Sequence, residues 1–376
     1  MEAEPFRSLT RDEYLSPEVL ERETQLIFQR QWTYAAHVSQ LRSAGDFVTL
    51  RIGSQPVLVV RGADGALSSM ANVCRHRGSL IEEREFGCGI SQLVCPYHQW
   101  AYDLDGTLRG VPGPTRGMDL EGLRLKEYAV VEWNGLVLIN LDPGAPSPAP
   151  LLDGLAGDEF AAFDVARAKI IAVHDIEVAA NWKLVVENYS ECYHCAANHR
   201  TLVGVMDLRQ IFADGAGDVG PAPRFLPGAL EPAGGARTIS VDGNYVSRRL
   251  LLREGLDPAD APPSAGFGLH PALTWAQFWH DYGIVHTVRP ITVETAQFTT
   301  TFFVHEDAVE GRDYEVADVT KAWDVTNDED VRLVERNHLG VRSRAYEPGP
   351  NSVEREPILG RWLASYRDIM AGGPSV

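Results

Sequence analysis

Two short motifs that pair cysteine with histidine constrain this chain more than any other feature of its sequence. The first is Cys74-x-His76 and the second is Cys95-x-x-His98, with eighteen residues between the two halves. Each half places one thiolate and one imidazole within a few residues, as expected at the tip of a loop between strands. A chain that brings all four side chains together must hold two such loops side by side.

The four side chains predict a [2Fe–2S] cluster of the Rieske type, in which two thiolates hold one iron and two imidazoles hold the other. Gly78 and Pro96 can supply the tight turns that such loops need. A structural zinc site also uses two cysteines and two histidines, so zinc remains the alternative at this point. Cys88 lies between the halves and is predicted to be an ordinary loop or core thiol.

A second group of metal-binding residue types lies in NWKLVVENYSECYHCAANHR, residues 181–200. On the helix predicted over about 181–196, Glu191 and His194 share one face. On a regular helix His199 would point away from His194, so Asn198 is predicted to end or distort the helix and bring His199 back. Two histidines and one carboxylate form the facial triad that binds iron(II) and leaves positions open for oxygen.

The carboxylate of this triad is predicted to come from TNDEDVRLVERNHLG, residues 326–340. Thr326 and Glu329 fit a capping box, which predicts that a helix begins there. On that helix Asp330 shares a face with apolar residues, and a buried carboxylate needs a partner such as a metal ion. Asp328 points to the other side, where an ion pair would explain it, and is the alternative ligand.

Two cysteines flank His194 and offer further interpretations. Cys192-x-His194 looks like half of a cluster motif, and Cys192 with Cys195 could form a Cys-x-x-Cys redox pair or zinc site. No cysteine lies beyond residue 195 to complete such a site. Neither interpretation is therefore adopted.

The first 150 residues predict a helical segment followed by a β domain. Ser16 and Pro17 suit the start of a helix, which is predicted over residues 11–33. From Asp46 onward, short β-branched runs separated by Gly, Pro and Asp-Gly turns predict antiparallel strands. The runs are FVTLRIG, PVLVVRG, ALSSMAN, YAVVEW and LVLINL, the last ending near residue 140.

The remainder predicts a second domain of the α+β class. The Pro- and Ala-rich segment 141–152 reads as a linker. The chain is therefore divided into a helical segment at 1–37 that packs on the catalytic domain, a cluster domain at 38–143 and a catalytic domain at 144–376. Beyond the 181–196 helix, the pattern predicts a Gly/Pro-rich stretch at about 213–237, strands at 273–280, 283–288 and 297–304, and helices at 327–339 and 354–370.

Charge and composition exclude several classes of function. The net charge of −18 argues against binding to nucleic acid or to anionic membranes, because both require clustered Lys and Arg. The absence of an N-terminal signal and of an 18-residue apolar run predicts a cytoplasmic protein without a membrane span. In that compartment most of the five cysteines are expected to be reduced, with metal ligation or burial as their default state.

The motifs CRHRG, CPYHQW and the stretch at 181–200 resemble those of the Rieske non-haem iron oxygenase alpha subunits, and the resemblance covers nearly the whole chain. It implies an N-terminal Rieske domain and a C-terminal helix-grip catalytic domain with an antiparallel sheet. It also implies two metal centres in each subunit. The ligands would be Cys74, His76, Cys95 and His98 for the [2Fe–2S] cluster, and His194, His199 and Asp330 for a mononuclear Fe(2+).

The same resemblance implies partners for the reaction. A head-to-tail homotrimer would place the cluster of one subunit beside the iron of the next, with Glu191 as the acid that bridges the two centres. The substrates would be O2 and a small molecule. A separate NAD(P)H-dependent reductase is implied as well, because no GxGxxG motif follows a predicted strand in this chain.

Glutamate at position 191, within ENYSECYHC, resembles the subset of the family that acts on quaternary ammonium compounds. It implies N-demethylation of a betaine-like substrate; the alternative is hydroxylation or dihydroxylation of an aromatic ring, or O-demethylation of an aromatic ether. Aromatic faces could surround a cation, although an aromatic-rich strand is more often core. The candidates are Trp275, Phe278, Trp279, Tyr282, Tyr189 and Tyr193.

Overall fold

The computed structural model describes residues 7–206, 225–227, 230–269, 271–272, 274–352 and 354–373. These residues form two compact units. One unit is Phe28–Ala149, and the other combines the segment up to Ile27 with the chain from Pro150 onward. Residues 28–37 therefore lie in the smaller unit, whereas the sequence had assigned them to the helical segment; the three-part division at 37 and 143 otherwise stays a prediction.

Residues 28–149, all of which the structure describes, form ten strands in two antiparallel sheets. The larger sheet has the order β1-β10-β9-β4-β3-β2-β5, and the smaller has the order β6-β7-β8. The five strands predicted from the sequence are confirmed as β2, β3, β4, β9 and β10. The bounds are β1 Thr33–His37, β2 Phe47–Ile52, β3 Gln55–Arg61, β4 Leu67–Ala71, β5 Phe86–Gly87, β6 Leu93–Val94, β7 Ala101–Tyr102, β8 Leu108–Gly110, β9 Glu127–Trp133 and β10 Leu136–Asn140.

The larger unit is built on a six-stranded antiparallel sheet of order β11-β16-β15-β14-β13-β12. The three strands predicted near 273–304 are confirmed as β14, β15 and β16. The bounds are β11 Ala168–Val178, β12 Phe225–Pro227, β13 Ser264–Leu269, β14 Thr274–Trp279, β15 Gly283–Pro290 and β16 Ala296–His305. Most of the Gly/Pro-rich stretch predicted at 213–237 lies outside the described residues.

Eight α-helices accompany this sheet among the described residues. They are α1 Arg11–Leu15, α2 Pro17–Glu23, α3 Ala149–Phe160, α4 Trp182–Tyr189, α5 Cys195–Asn198, α6 Arg200–Val203, α7 Val316–Val341 and α8 Pro357–Met370. The 26-residue helix α7 packs against α4 and β11. A sheet holding one long helix agrees with the predicted helix-grip domain, and the α+β class is confirmed. Among the described residues, no helix combines the length and apolarity that a membrane crossing requires.

Two helices have bounds that differ from those predicted from the sequence. The helix predicted over 11–33 breaks at Ser16, whose side chain caps α2 with Pro17 in the first position, and a π-helical turn closes it at Phe28. Residues 33–37 instead form β1, because pairing with β10 outweighs local helical preference. The helix predicted to begin at Thr326 begins at Val316, so the capping box is wrong: the Thr326 hydroxyl donates to the carbonyl of Ala322 inside α7.

The motif Asn181-Trp182-Lys183 anchors the N-terminal segment to the larger unit. The Lys183 ammonium lies 2.6 Å from a carboxylate oxygen of Glu23, with both side chains buried. The indole N–H of Trp182 and the hydroxyl of Tyr366 donate to the same carboxylate, at 2.8 and 2.6 Å. A buried ion pair needs such additional donors to remain stable. The network thereby ties α2, α4 and α8 together next to the start of the functional segment.

Glu187, on α4, is a second carboxylate beside this network. Tyr14 donates to both of its oxygens, at 2.8 and 3.0 Å. Burial raises the pKa of Glu187 from its ordinary value near 4.5 to about 8, against the lowering effects of Tyr14, Lys183 and Arg367, while Glu13 raises it further. The folded protein therefore holds a proton that the unfolded chain releases. This contribution to stability is complete below pH 4.5 and is lost as the pH rises through about 8.

Glu187→Gln should therefore stabilise the protein only at alkaline pH, since glutamine accepts the Tyr14 hydrogen bond but cannot ionise. Unfolding followed by circular dichroism should show little change at pH 5 and a gain of about 1–3 kcal/mol at pH 9. Glu159→Gln, an exposed exchange on α3, should have no effect at either pH. Equal or lower stability of Glu187→Gln at pH 9 would contradict the buried, protonated carboxyl.

Candidate metal centres

The two cluster motifs lie on loops with the same backbone hydrogen bonds. The first loop follows β4, and the second joins β6 to β7. In the first, the N–H of Gly78 donates to the carbonyl of Cys74 at 2.9 Å; in the second, Gln99 donates to Cys95 at 3.0 Å. Each of these cysteines also donates its own N–H to the carbonyl five residues further on, at 2.8 and 2.9 Å. The loops are therefore matched in form although their sequences differ.

Each loop closes through a residue with left-handed backbone. Gly78 has φ of +75°, and Gln99 has φ of +58°. Glycine adopts this region freely, whereas glutamine does so at some cost in free energy. Gly78 thus has the role predicted for it. In the second loop Pro96 lies in the turn, but the left-handed position falls to Gln99, which the sequence pattern did not reveal.

The side chains of the two motifs fit an iron–sulfur cluster. Cys74 and Cys95 are buried at 3% and 1% exposure. The His76 and His98 rings lie 4.7 Å apart, and the Nδ1 atom of each is buried without a hydrogen-bond partner among the described residues. Buried imidazole nitrogens need a partner. Two thiols and two orphaned imidazoles are the donor set of a Rieske cluster, with Nδ1 as the atom available for iron.

The cluster loops receive support from two aromatic side chains. The ring of Trp100 stacks on His76 with 4.7 Å between centroids. The hydroxyl oxygen of Tyr102 accepts from the backbone of Arg75 at 3.0 Å and lies 3.3 Å from the sulfur of Cys74. Burial and the neighbouring Cys74 raise the pKa of Tyr102, so its hydroxyl keeps its proton and would donate to the sulfur of a metal-bound Cys74 thiolate. Such hydrogen bonds tune the potential of an iron–sulfur cluster.

Three further ligand atoms converge in the larger unit. The Nε2 atoms of His194 and His199 are 3.1 Å apart, and Oδ1 of Asp330 lies 3.1 Å from the first and 2.9 Å from the second. Ligands about 2.1 Å from a first-row metal and at right angles to each other are about 3.0 Å apart. The triangle therefore matches one face of an octahedral iron site with three positions left open. Asp328 is exposed and outside it.

Two interruptions of the helical backbone, after α4 and after α5, bring the two histidines together. Helix α4 ends at Tyr189, so Glu191 and His194 do not share a helical face as predicted. Helix α5 ends at Asn198, and His199 has φ of −109° and ψ of 72° before α6 begins. The predicted distortion at Asn198 is confirmed. Its side chain also donates to the carbonyl of His194 at 2.8 Å, which fixes the turn between the two histidines.

A carboxylate contacts Nδ1 of each histidine, the ring nitrogen that does not belong to the triangle. Nδ1 of His194 lies 2.5 Å from Oε1 of Glu191, whose other oxygen accepts from the backbone of Tyr193. Nδ1 of His199 lies 2.9 Å from Oε2 of Glu329. Each carboxylate keeps the ring proton on Nδ1 and turns the Nε2 lone pair toward the metal position. The sequence analysis did not predict this role for Glu329, because it interpreted Glu329 as part of a capping box. The signal that could have revealed the role was its position next to Asp330.

The charges of the triangle favour a cation. Burial lowers the pKa of His194, but Asp330 and Glu191 raise it more, to about 9. Burial raises the pKa of Asp330, but its hydrogen bonds to His194 and His199 lower it more. Without a metal ion, the negative charges of Asp330 and Glu191 thus favour protonation of His194. The same electrostatics favour a divalent cation between the three ligand atoms.

An aromatic wall lies within electrostatic range of Asp330, which interacts with both Tyr189 and His286. It is joined to α7 at Asn327, one turn before Asp330. Tyr189 donates to Oδ1 of Asn327 at 2.6 Å, and the amide of Asn327 donates to Thr300 at 3.1 Å. Nδ1 of His286 lies 2.9 Å from the Thr300 hydroxyl, and burial lowers the pKa of His286 to about 3, so its ring is neutral. The rings that form the wall are Tyr189, Trp275, His286, Phe298 and Trp323.

Only two of the six aromatic residues named from the sequence belong to this wall, Tyr189 and Trp275. Trp279 and Tyr282 are fully buried and donate to the backbone carbonyls of other segments, and Phe278 is buried as well. Tyr193 is 57% exposed, with the Arg355 guanidinium over its ring. These four are therefore core or surface residues.

The structure joins Cys192 to Cys195 in a disulfide, which the sequence interpretation had set aside. The pair encloses His194, and both cysteines are buried. Cys74, Cys88 and Cys95 are free, and Cys88 is exposed. The expectation that most of the cysteines are reduced is met by these three and not by the bonded pair, which is nevertheless buried as expected.

Comparison with known proteins assigns both halves of the chain to described families. Residues 31–129 match the family described as Rieske [2Fe-2S] domain. Residues 165–372 match the family described as Ring hydroxylating alpha subunit (catalytic domain). The two matches contain all seven of the candidate ligands.

Similar proteins cover nearly the whole chain. The glycine betaine monooxygenase oxygenase subunit of Pseudomonas aeruginosa is 37% identical over 96% of this chain and 89% of its own length. The carnitine monooxygenase oxygenase subunit of Escherichia coli K12 is 29% identical over 89% of this chain and 84% of its own. Crystals of the quaternary ammonium Rieske monooxygenase CntA show the same fold, with a TM-score of 0.73 and 23% identity over 97% of this chain and 96% of that one.

The geometry predicts that Glu329→Gln weakens metal binding at the triangle. Glutamine can present its amide N–H to Nδ1 of His199, which would favour the wrong tautomer. Loss of such a carboxylate typically lowers metal affinity about 10–100-fold. Titration of the chelator-treated protein with iron(II) measures this, with Asp328→Asn as the neighbouring exposed control. Unchanged affinity in Glu329→Gln would show that the contact does not orient the ligand.

Proposed function

The chain belongs to the family of ring-hydroxylating oxygenase alpha subunits that carry a Rieske [2Fe-2S] domain, and from that membership we propose that it N-demethylates a small quaternary ammonium compound of the betaine type. As a member it is an oxygenase component with a Rieske cluster and a mononuclear iron, and it receives electrons from a reductase. The proposal concerns its substrate, the roles of its residues and its assembly.

The observation that carries the proposal is the 37% identity, over 96% of the chain, to subunits that act on glycine betaine. A second similar protein acts on carnitine. Glycine betaine and carnitine both carry a trimethylammonium group and a carboxylate. Hydroxylation of one N-methyl group gives an unstable carbinolamine, which releases formaldehyde and leaves the demethylated amine.

The aromatic wall supports a cationic substrate. The rings of Tyr189, Trp275 and Phe298 pack together, and the half-buried Tyr189 and Trp275 are the two that could present a face to a substrate. A quaternary ammonium group over such faces gains about 0.5–2 kcal/mol. Neutral His286 adds no competing positive charge, because burial keeps its pKa near 3. The negatively charged residues around the triangle, including Glu191, add long-range attraction for a cation.

We assign the metal ligands on the geometry above. Cys74, His76, Cys95 and His98 would hold the cluster, and His194, His199 and Asp330 the iron. When bound, the two centres supply single-electron transfer and oxygen activation. The protein residues fix the tautomer of each iron-site histidine, keep the metal face buried and leave one side of the triangle toward the aromatic wall, where an N-methyl group would lie.

Glu191 is proposed as the route by which electrons reach the iron site. Its carboxylate already bonds Nδ1 of His194, and the adjoining Tyr193 is exposed, so a cluster histidine of a neighbouring subunit could reach it. We propose a head-to-tail homotrimer on this basis. A structural relative is described in terms of inter-subunit electron transfer, which supports the same arrangement. An NAD(P)H-dependent reductase as donor would place the enzyme in the cytoplasm.

The second candidate is hydroxylation of an aromatic ring or O-demethylation of an aromatic ether. The flat faces of the wall would stack on a ring as well as on a cation. Such a substrate would gain nothing from the negative charges nearby. N-demethylation and O-demethylation both release formaldehyde, whereas ring hydroxylation does not. The two candidates therefore differ in which substrate turns over and in its remaining product, a demethylated amine or a hydroxylated aromatic compound.

A single-turnover experiment separates the candidates without the native reductase. Chemically reduced holoenzyme is exposed to O2 with glycine betaine, carnitine, benzoate or methoxybenzoate, and the products are analysed. We expect formaldehyde with a quaternary ammonium compound and no product from benzoate or methoxybenzoate. Glu191→Gln should bind iron more weakly, as Glu329→Gln does, and is therefore loaded with iron(II) to saturation. With its iron content and cluster spectrum matched to wild type, it should release at most about 1% of the wild-type formaldehyde.

A hydroxylated or O-demethylated aromatic product, with no formaldehyde from any quaternary amine, would refute the substrate assignment. Full single-turnover yield in Glu191→Gln would refute only the proposed electron route.

A further inference from the structure

The disulfide between Cys192 and Cys195 surrounds one of the proposed iron ligands. His194 lies inside the four-residue loop, and the sulfur of Cys195 is 3.9 Å from Nε2 of His194. That nitrogen is the atom turned toward the metal position. The sulfur is therefore next to the metal position and not on the outer side of the loop.

Cys195 also meets a geometric condition for a metal ligand. One ligand atom from each of His194, Cys195 and His199 can be chosen so that all three lie within 4.8 Å of one another. A disulfide sulfur carries no charge and is a poor ligand, whereas a thiolate binds iron, cobalt and zinc strongly. The bond between the cysteines thus decides whether this position offers a ligand.

We propose that the Cys192–Cys195 pair is a redox-gated ligand of the mononuclear metal site. The inference rests on the iron site assigned above. In the disulfide form, Cys195 is excluded from the metal and the open positions of the triangle stay available. In the dithiol form, the Cys195 thiolate enters one of those positions, so the site holds two histidines, a carboxylate and a thiolate.

The chemistry balances in both directions. An external dithiol reduces the pair by thiol–disulfide exchange: the Cys192–Cys195 bond breaks, the external dithiol becomes a disulfide, and two protein thiols form. Cys195 releases its proton to solvent when it binds the metal. Hydrogen peroxide, as the two-electron oxidant, re-forms the bond from the two thiols and is reduced to two molecules of water.

The local structure permits this change without unfolding the loop. The N–H of Cys195 donates to the carbonyl of Cys192 at 3.2 Å, and Glu191 holds both the backbone of Tyr193 and the ring of His194. These contacts do not depend on the sulfur–sulfur bond. A purely structural disulfide over so short a loop would restrict the unfolded chain less than one that closes a long loop.

The test uses cobalt(II) in place of the mononuclear iron, because X-ray absorption at the cobalt edge ignores the iron–sulfur cluster. Purified protein is treated with a chelator, loaded with cobalt(II) without oxygen, and measured before and after reduction by a water-soluble phosphine. We expect only nitrogen and oxygen neighbours before reduction. After reduction, one sulfur should appear at about 2.3 Å.

Two serine variants complete the experiment. Cys195→Ser should never show the sulfur neighbour. Cys192→Ser, which leaves Cys195 permanently free, should show it without any reductant. The visible spectrum of the Rieske cluster reports that both variants are folded.

Reduced wild-type protein that binds cobalt with no sulfur neighbour would overturn the inference, and so would a sulfur neighbour that persists in Cys195→Ser. Failure of the oxidised protein to bind cobalt, or equal binding by His199→Ala, would instead overturn the iron-site assignment on which the inference rests. In either case the formaldehyde assay still reports on the substrate.

Discussion

The triangle formed by Nε2 of His194, Nε2 of His199 and Oδ1 of Asp330 is the constraint on which the catalytic unit depends. Its edges of 2.9–3.1 Å crowd lone pairs and negative charge into a buried volume. Such an arrangement is stable only with a cation inside or with protons in its place. The surrounding fold must therefore hold the three side chains against their mutual repulsion, and the ends of α4 and α5 together with the inner face of α7 do so.

Around the triangle, each side chain has a task that follows from its position. Glu191 and Glu329 fix the two imidazoles from outside, while the buried Glu23–Lys183 pair holds the N-terminal segment to the base of α4. The cluster loops of the smaller unit are just as ordered, because matched hydrogen bonds position their cysteines. Under the proposed assignment, electron supply, metal binding and substrate contact fall to different sets of residues, and Glu191 is proposed to connect the first two.

Motifs and strands that depend on neighbouring residues could be predicted from the sequence. Most contacts between segments far apart in the chain could not. The Cys/His spacing predicted the cluster loops because ligand identity alone restricts the possible centres, and strands such as β3 and β15 followed from their β-branched runs. The start of α7 was misplaced because Thr326 satisfies its hydroxyl inside a helix as well as at a cap. The contact of Glu329 with His199 joins segments 130 residues apart, which no local pattern encodes. The Cys192–Cys195 bond is local and fits the Cys-x-x-Cys pattern, but that interpretation was not adopted because no further cysteine could complete a site.

Iron content tests the central claim most directly. Reconstituted wild-type protein should hold about three irons per chain, two in the cluster and one in the triangle. Asp330→Ala should retain about two with an unchanged cluster spectrum, while Asp328→Ala should retain all three. If Asp330→Ala kept the third iron, or if wild-type protein held only the cluster pair, the three converging atoms would not be the iron site and the account would fail.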